Sequence, residues 1–179
     1  NVQEQAMYAV IHGGVDRELR QLSVDFLTAC PYDGFAIGGS LGSSHEELVD
    51  LLSFLAPKLP KDKPNHLLGI ADERSILAAV PLGIDTFDSC FPTRLARHGT
   101  LLTRNGKLHV SNAACATSFG KPICEKCACS TCRKYDLAYL HHLKKAREPL
   151  LFSLASIHNI QYMNDLMADL REKILADEI

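Results

Sequence analysis

The stretch YAVIHGGVDRELRQLSVDFLTACPYDGFAIGGS, residues 8–40, decides the predicted fold. Short apolar runs predict strands at Tyr8–Ile11 and Gly34–Ile37, each of which leads into a pair of glycines. Between them, Asp16–Ala29 has the spacing of an amphipathic helix. The apolar positions that share one face of this helix are Leu19, Leu22, Phe26 and Ala29. Strand, helix and strand in this order predict two parallel strands joined by a crossover helix.

The alternation continues beyond this unit. Ser44 is placed to cap a helix at His45–Ala56, with Glu47 three residues later. The next elements are predicted to be a strand at His66–Ile70, a helix at Asp72–Val80 and a strand at Ile84–Phe87. Four strands in this arrangement predict an α/β fold with a parallel sheet, as part of a barrel or a doubly wound layer. No GxGxxG motif follows the first strand, which argues against a dinucleotide site.

The pattern changes after about residue 96. Asn105-Gly106 predicts the turn of a hairpin between Leu101-Leu102 and Leu108–Val110. Helical patterns then cover residues 132–146 and 160–176 approximately. We predict three regions, which are barrel-type βα units in 1–100, a zinc-binding subdomain in 101–160 and a C-terminal helix packed on the barrel in 161–179.

Composition narrows the class of protein. With 179 residues, 46% of them hydrophobic and 22% charged, the chain is typical of a globular protein. No apolar run approaches the ~20 residues of a membrane helix, and no secretion signal is visible. The net charge of −2 conceals segments of −7 in 1–90, +8 in 91–150 and −3 in 151–179. The basic segment is either an ordinary solvated surface or a footprint for a polyanion.

Four of the seven cysteines lie within nine residues, at positions 124, 127, 129 and 132. The CxCxxC spacing of Cys127, Cys129 and Cys132 suits a tetrahedral Zn²⁺ site of structural type. The spacing leaves the fourth ligand open, and the candidates are Cys124, His141, His142 and His158. Clustered cysteines without a secretion signal favour a reducing compartment, so we expect the protein to be cytoplasmic.

The segment Gly83–Cys90 carries two aspartates on a predicted strand. Carboxylates at the carboxyl end of a parallel strand lie where barrel enzymes build their active sites, although a helix cap or an ion pair is an equally good explanation. Asp88 is the better candidate because it lies at the strand tip. Arg94 and Arg97 follow within nine residues and suit phosphate binding, unless they lie in an ordinary solvated loop.

Several motifs together resemble the tRNA-guanine transglycosylases (queuine tRNA-ribosyltransferases). The motifs are Ala36-Ile37-Gly38-Gly39, Leu59-Pro60-Lys61-Asp62-Lys63-Pro64, Gly83–Cys90 with Pro92-Thr93-Arg94, the CxCxxC, Tyr139-Leu140-His141-His142-Leu143, and His158-Asn159-Ile160. They run in order from about Tyr8 to about Arg171. The resemblance implies the C-terminal half of a (β/α)₈ TIM barrel with an inserted zinc-binding subdomain.

The resemblance also implies an activity. Members exchange guanine at the anticodon wobble position of tRNA for a 7-deazaguanine, either queuine or its 7-aminomethyl precursor. Asp88 matches the nucleophile that holds a covalent intermediate with the ribose. Cys127, Cys129, Cys132 and His158 match the ligands of Zn²⁺.

Other roles follow from the same resemblance. Gly38, Gly39, Leu68 and Gly69 match the base pocket, and Arg94 and Arg97 match contacts to the tRNA backbone. His12 stands where the family normally has a glutamine that bonds to the base, and residues 40–44 depart from the usual sequence. Both departures make altered specificity toward queuine a hypothesis. Tyr135, Tyr139 and His142 match a homodimer interface, although ordinary helix packing explains them equally well.

A second reading is a non-catalytic tRNA-binding or partner subunit of such an enzyme. Asp88 favours the catalytic reading, because a subunit that only binds has no need of a carboxylate at a strand tip. The family's general acid/base aspartate and its guanine-binding aspartate belong to the other half of the barrel. We therefore expect the 179-residue chain to be inactive on its own.

Overall fold

The computed structural model describes residues 4–179. The chain divides into two compact units, Asn1–Ser89 and Cys90–Ile179. Four parallel strands and the helices that connect them make up the first unit. Helices and one two-stranded hairpin make up the second. The predicted α/β class with a parallel sheet is confirmed.

The first unit contains one sheet whose strands lie side by side in chain order. The strands are β1 (Tyr8–Ile11), β2 (Gly34–Ile37), β3 (Asn65–Leu67) and β4 (Thr86–Phe87). The helices are α1 (Arg17–Thr28), α2 (His45–Leu55) and α3 (Glu73–Ala79), with short 3₁₀ turns at Ala56–Lys58 and Val80–Leu82. All three strand pairs are parallel, so the carboxyl ends of the strands lie at one edge of the sheet.

Local sequence explains most of these boundaries. β1 and β2 have the predicted limits, and all four residues of β2 are buried, as expected for a strand covered on both faces. Asp16 caps α1 by accepting from two backbone N–H groups, and Ser44 caps α2 by accepting from Glu47. β3 and β4 are shorter than predicted, although the Asp85 N–H still donates to the Asn65 carbonyl just before the β3–β4 pairing begins.

The apolar face of α1 is not the buried one. Leu19, Leu22 and Phe26 are 55%, 66% and 70% exposed, whereas Arg20 and Val24 are buried. Positions 20 and 24 are one helical turn apart, so they share a face of the helix. The core of the first unit is built from β1, β2 and β3 together with α2 and α3, and its fully buried members are Ile11, Phe35, Ile37, Leu52, Leu55, Leu67 and Ala79.

The second unit begins with a helix and the predicted hairpin. Its elements are α4 (Phe91–Arg97), β5 (Thr100–Thr103), β6 (Gly106–His109), α5 (Ala113–Ala116), α6 (Ser130–Lys134), α7 (Leu137–Ala146) and α8 (Leu150–Leu175). β5 and β6 are antiparallel, with Thr103 opposite Gly106, which confirms the hairpin. The single helix predicted over 132–146 is two helices, because the chain is extended at Tyr135 and Asp136 caps α7.

The last helix begins at Leu150, ten residues before the predicted start near Ile160. His158 therefore lies inside α8 and not in a turn that precedes it. The buried polar residues His158 and Asn159 interrupt the apolar periodicity that would have shown the earlier start. None of the helices in the described part of the chain combines the length and apolar character needed to cross a membrane.

Asn159 joins three segments of the second unit. It is completely buried, and its Oδ1 accepts from the Leu102 N–H at 2.9 Å. Its Nδ2 donates to the carbonyls of Pro92 at 3.0 Å and Thr100 at 2.9 Å. One side chain on α8 thus satisfies three backbone groups of α4 and β5 that have been removed from water.

We expect Asn159→Leu to lower the free energy of unfolding by at least about 3 kcal/mol, because it leaves a buried N–H and two carbonyls without this partner. Thermal or chemical denaturation of the metal-loaded protein measures the loss. Asn164→Leu places the same substitution at an exposed position of the same helix and should have little effect. Equal stability of the two variants would contradict the role of Asn159.

Candidate active site and metal centre

Asp88 follows β4 directly, at the carboxyl edge of the parallel sheet. Its side chain is 59% exposed. Oδ1 of Asp88 accepts from the Gly69 N–H at 3.1 Å, and the hydroxyl of the next residue, Ser89, donates to the Gly69 carbonyl at 3.1 Å. The loop after β3 therefore holds one carboxylate oxygen of the predicted nucleophile by one hydrogen bond and the neighbouring Ser89 by another.

His66 on β3 also contacts Asp88. It lies opposite Thr86 in the β3–β4 pairing. Its Nδ1 is 2.8 Å from the Thr86 hydroxyl, and its Nε2 is 3.0 Å from Oδ1 of Asp88. Residues 86 and 88 are two apart, which places both side chains on the same side of an extended chain and within reach of one imidazole. The motifs in the sequence did not identify His66.

The predicted pocket residues come together at the same edge of the sheet. A Cβ on Gly38 would lie 2.7 Å from Cδ1 of Leu68, and a Cβ on Gly39 would lie 3.1 Å from Nδ1 of His12. Gly39 has a φ of +77°, which favours glycine. We call His12, Gly38, Gly39, His66, Leu68, Gly69 and Asp88 the strand-end site. Four neighbouring strands contribute to it, as in enzymes that bind ligands at the carboxyl ends of parallel strands.

Arg20 makes hydrogen bonds to the backbone segments that carry part of the strand-end site. This buried side chain donates from Nη1 to the Ile11 carbonyl at 2.6 Å, from Nε to the Gly14 carbonyl at 2.8 Å and from Nη2 to the Ser40 carbonyl at 3.0 Å. Burial lowers the pKa of Arg20. The guanidinium connects the backbone after β1 to the backbone after β2, the two segments that carry His12 and Gly39.

The second unit contains a cluster of three thiols and an imidazole. Nδ1 of His158 lies 3.7 Å from Sγ of Cys127, 3.8 Å from Sγ of Cys129 and 3.3 Å from Sγ of Cys132. All four donor atoms lie within 4.8 Å of one another. We call these four residues the Cys₃His cluster. The predicted ligand set is the one that the fold brings together.

The dimensions of the Cys₃His cluster match a zinc tetrahedron. With Zn–S bonds of ~2.3 Å and a Zn–N bond of ~2.0–2.1 Å, a tetrahedral site requires S···N separations of roughly 3.6 Å and S···S separations of roughly 3.8 Å. The three S···N distances of 3.3–3.8 Å bracket the first value. Three soft thiolates with one imidazole are donors that select Zn²⁺. Four protein ligands complete the tetrahedron, as in structural zinc sites.

Contacts around the Cys₃His cluster orient the ligands. Nε2 of His158 is 2.8 Å from the Leu102 carbonyl, so Nε2 carries the proton and the Nδ1 lone pair points at the thiols. Burial lowers the pKa of His158, which favours the neutral imidazole that binds a metal. Burial also raises the pKa of the Cys127 and Cys132 thiols, so a cation is required to hold them as thiolates.

The other candidate ligands lie outside the Cys₃His cluster. His141 places Nδ1 2.8 Å from the Val110 carbonyl. Cys124 is half-buried and packs against the core of the second unit, and its backbone makes a hydrogen bond to Cys132. The structure thus selects His158 from the alternatives that spacing left open.

The remaining predicted residues lie on helices of the second unit. Arg94 and Arg97 are exposed near the end of α4, three residues apart, so they share a side of that helix. Tyr135 and Tyr139 stack with their ring centroids 5.3 Å apart and the planes inclined by 16°. His142 is exposed one turn further along α7.

Sequence reasoning missed two residues of the strand-end site and its support, His66 and Arg20. A single histidine within a short strand forms no motif. Arg20 lies between apolar positions of an amphipathic helix, where an arginine is normally solvated. One signal in the sequence pointed to a buried Arg20. It lies one helical turn before Val24, and the two residues share the buried face of α1.

Comparison with known proteins shows the family of the chain. The profile of the family described as "Queuine tRNA-ribosyltransferase" matches residues 1–179. A queuine tRNA-ribosyltransferase of Protochlamydia amoebophila is 54% identical over the whole chain, which covers 46% of that relative. Relatives of the same name from Chlamydia felis and Roseiflexus sp. are 48% and 42% identical over 98% and 96% of the chain, or 47% and 44% of their own lengths.

The chain and these relatives differ in length. The chain spans about half the length of the curated relatives that it matches. Within that half, similarity extends over both the unit that holds the strand-end site and the unit that holds the Cys₃His cluster. The chain therefore belongs to the queuine tRNA-ribosyltransferase family.

Proposed function

We propose that the protein containing this chain is a tRNA-guanine transglycosylase, which exchanges guanine at the anticodon wobble position of tRNA for a 7-deazaguanine. The observation that carries this proposal is the exposed Asp88 carboxylate beside the pocket residues of the strand-end site. Membership in the family, whose relatives are named queuine tRNA-ribosyltransferase, supports it.

Asp88 would act as the nucleophile. One of its carboxylate oxygens bonds to C1′ of the target ribose while the bond from C1′ to guanine breaks, and the bonding electron pair leaves with the base. The guanine takes up a proton at the ring nitrogen that held C1′. A 7-deazaguanine then attacks C1′ through the corresponding nitrogen, loses the proton from that nitrogen and displaces the carboxylate. This is the two-step chemistry of a carboxylate that traps an oxocarbenium-like centre. The target nucleotide must be splayed out of the anticodon loop, which single-stranded RNA permits.

The strand-end site would hold the base. Gly38 is buried against Leu68, and Gly39 leaves backbone groups open next to His12, so a flat ring can approach closely. His12 can make one hydrogen bond to the base edge with a ring nitrogen, where a glutamine amide would offer both a donor and an acceptor. Gly69 would line the pocket on the side of Asp88.

The second unit would contact the tRNA. Residues 91–150 carry a net charge of +8, and Arg94 and Arg97 are exposed on one side of α4. Guanidinium groups match phosphate oxygens in geometry and charge. The Cys₃His cluster would hold Zn²⁺ as a structural ion, because no ligand position remains for water or substrate.

The transglycosylase proposal also implies a complete barrel, a homodimer and a cellular compartment. The four-stranded sheet would be half of a TIM barrel, in which residues 101–160 form the inserted zinc-binding subdomain. Tyr135, Tyr139 and His142 would lie at the interface of a homodimer, with the two stacked rings as its apolar centre. Three reduced cysteines in one metal site suit the cytoplasm, where thiols are not oxidised to disulfides.

We expect the complete protein to incorporate queuine faster than 7-aminomethyl-7-deazaguanine. Four of the five residues 40–44 are glycine or serine, and all four are exposed, which leaves room for a larger substituent on the base. The measurement is competitive incorporation into guanine-containing tRNA, read by mass spectrometry of the nucleosides. His12→Gln should shift the ratio toward the aminomethyl base.

A strong preference of the unmodified protein for the aminomethyl base would overturn the prediction on specificity. Incorporation of neither base, with tRNA still bound, would instead reject the transglycosylase proposal. It would favour the reading as a partner subunit that binds tRNA without catalysis.

A further inference from the structure

The two carboxylate oxygens of Asp88 have different surroundings. Oδ1 accepts from the Gly69 N–H at 3.1 Å and lies 3.0 Å from Nε2 of His66. Among residues 4–179, no hydrogen bond reaches Oδ2. Because the side chain is 59% exposed, Oδ2 is open to a ligand while Oδ1 is held by the protein.

The direction of the hydrogen bonds follows from the donors available. A carboxylate only accepts, so Nε2 of His66 donates to Oδ1 of Asp88. The neutral imidazole then accepts at Nδ1, and the donor is the Thr86 hydroxyl at 2.8 Å. The acceptor-only carboxylate thus places the proton on Nε2, and the Thr86 hydroxyl supplies a partner for Nδ1. The ring is only 20% exposed, which restricts its rotation.

We propose that His66 is a positioning residue for the nucleophile, and that with Gly69 it holds Oδ1 of Asp88 so that Oδ2 is the atom that bonds to the ribose. This inference rests on the proposed transglycosylase function. When Oδ2 bonds to C1′ and guanine leaves with the bonding electron pair, Oδ1 becomes the carbonyl oxygen of the ester. Oδ1 still accepts from His66 and Gly69, so the hydrogen bonds persist through the step.

The same contacts act in the second step. As the incoming base bonds to C1′, the C1′–Oδ2 bond breaks and its electron pair returns to the carboxylate. Negative charge then grows on Oδ1 as well as on Oδ2 because the two oxygens share it. A donor already aimed at Oδ1 stabilises that charge without reorganising. His66 should therefore matter for both the formation and the breakdown of the adduct.

The test uses three variants of the complete protein, with tRNA as substrate. His66→Leu removes the donor and should slow single-turnover formation of the Asp88–tRNA adduct by roughly 10- to 100-fold, the range for a hydrogen bond to a charged group. His66→Gln retains an N–H near the position of Nε2 and should stay within a few-fold of the unmodified protein. Thr86→Val removes the partner of Nδ1 that holds the ring in place, and its rate of adduct formation should fall between those of the other two variants.

The pattern of the kinetic constants separates positioning from a structural role. We expect His66→Leu to lower kcat while KM for tRNA, the melting temperature and the zinc content of about one ion per chain remain unchanged. Adduct formation at the unmodified rate in His66→Leu overturns the proposal, as does a loss that lies only in KM. Failure of His66→Gln to restore the rate overturns it too. Absence of an adduct in the unmodified protein would instead reject the proposed function itself.

Discussion

Asp88→Asn should abolish the covalent adduct with tRNA and reduce base exchange by at least about 10⁴-fold, the scale of loss when a nucleophile is removed. The amide has almost the shape of the carboxylate and can still accept from the Gly69 N–H. Its oxygen is uncharged and does not form the ester bond to C1′. The change therefore removes the proposed nucleophile and leaves the surrounding hydrogen bonds largely in place.

A denaturing gel of protein incubated with tRNA measures the adduct directly. Asp85→Asn is the matched control, because Asp85 lies on the same segment but accepts from the backbone N–H of Asn65 at 2.7 Å. An asparagine oxygen can take over that contact, so the control should still form the adduct. An adduct that survives denaturation in Asp88→Asn would refute the assignment of the nucleophile.

Both variants should keep zinc at about one ion per chain, since the Cys₃His cluster belongs to the second unit and Asp88 to the first. Metal analysis of each purified variant therefore verifies that a lost adduct does not come from a lost ion. A loss of zinc in Asp88→Asn would show that the substitution acts on folding.

Cys129→Ala is expected to have the largest effect on stability. Cys129 is buried, supplies one of the four donor atoms, and accepts from the Cys132 N–H at 3.3 Å as the N-cap of α6. Its removal leaves a three-ligand site and an uncapped helix. Binding of a structural zinc ion contributes on the order of 10 kcal/mol in small zinc domains, so its loss exceeds the usual stability of a fold.

We expect Cys129→Ala to lose both zinc and solubility. Metal analysis measures the first loss, and the soluble fraction after expression measures the second. Cys124→Ala is the control from the same loop, because its thiol lies outside the Cys₃His cluster. That variant should keep the metal and remain soluble. Zinc near one ion per chain in Cys129→Ala would contradict the ligand assignment.

The strands and the zinc ligands were predictable from the sequence for different reasons. β1 and β2 are short apolar runs bounded by glycines, and burial in a parallel sheet leaves no other pattern for them. The CxCxxC spacing specifies three ligands by itself. The fourth required either the family resemblance or the fold, because His158 is separated from Cys132 by a complete helix and the start of another.

The start of α8 and the buried face of α1 could not be predicted, because they depend on tertiary contacts that do not appear in the hydrophobic periodicity of the sequence. The early start of α8 was hidden because His158 and Asn159 are buried for their hydrogen bonds and not for their hydrophobicity. The buried face of α1 was hidden because Arg20 satisfies three carbonyls that only the folded loops bring together. In each case a polar side chain occupies a position that pattern analysis reserves for an apolar one.

The bonds made by Arg20 also restrict which changes of sequence the strand-end site of this chain can accept. One guanidinium spans the backbone at Ile11, Gly14 and Ser40, so the segments that carry His12 and Gly39 have a fixed spacing. An insertion or deletion within either segment would withdraw a carbonyl from a buried cation. We therefore expect this chain to accept insertions and deletions beyond Ser40, whereas the bound segments can vary only in the identity of their side chains.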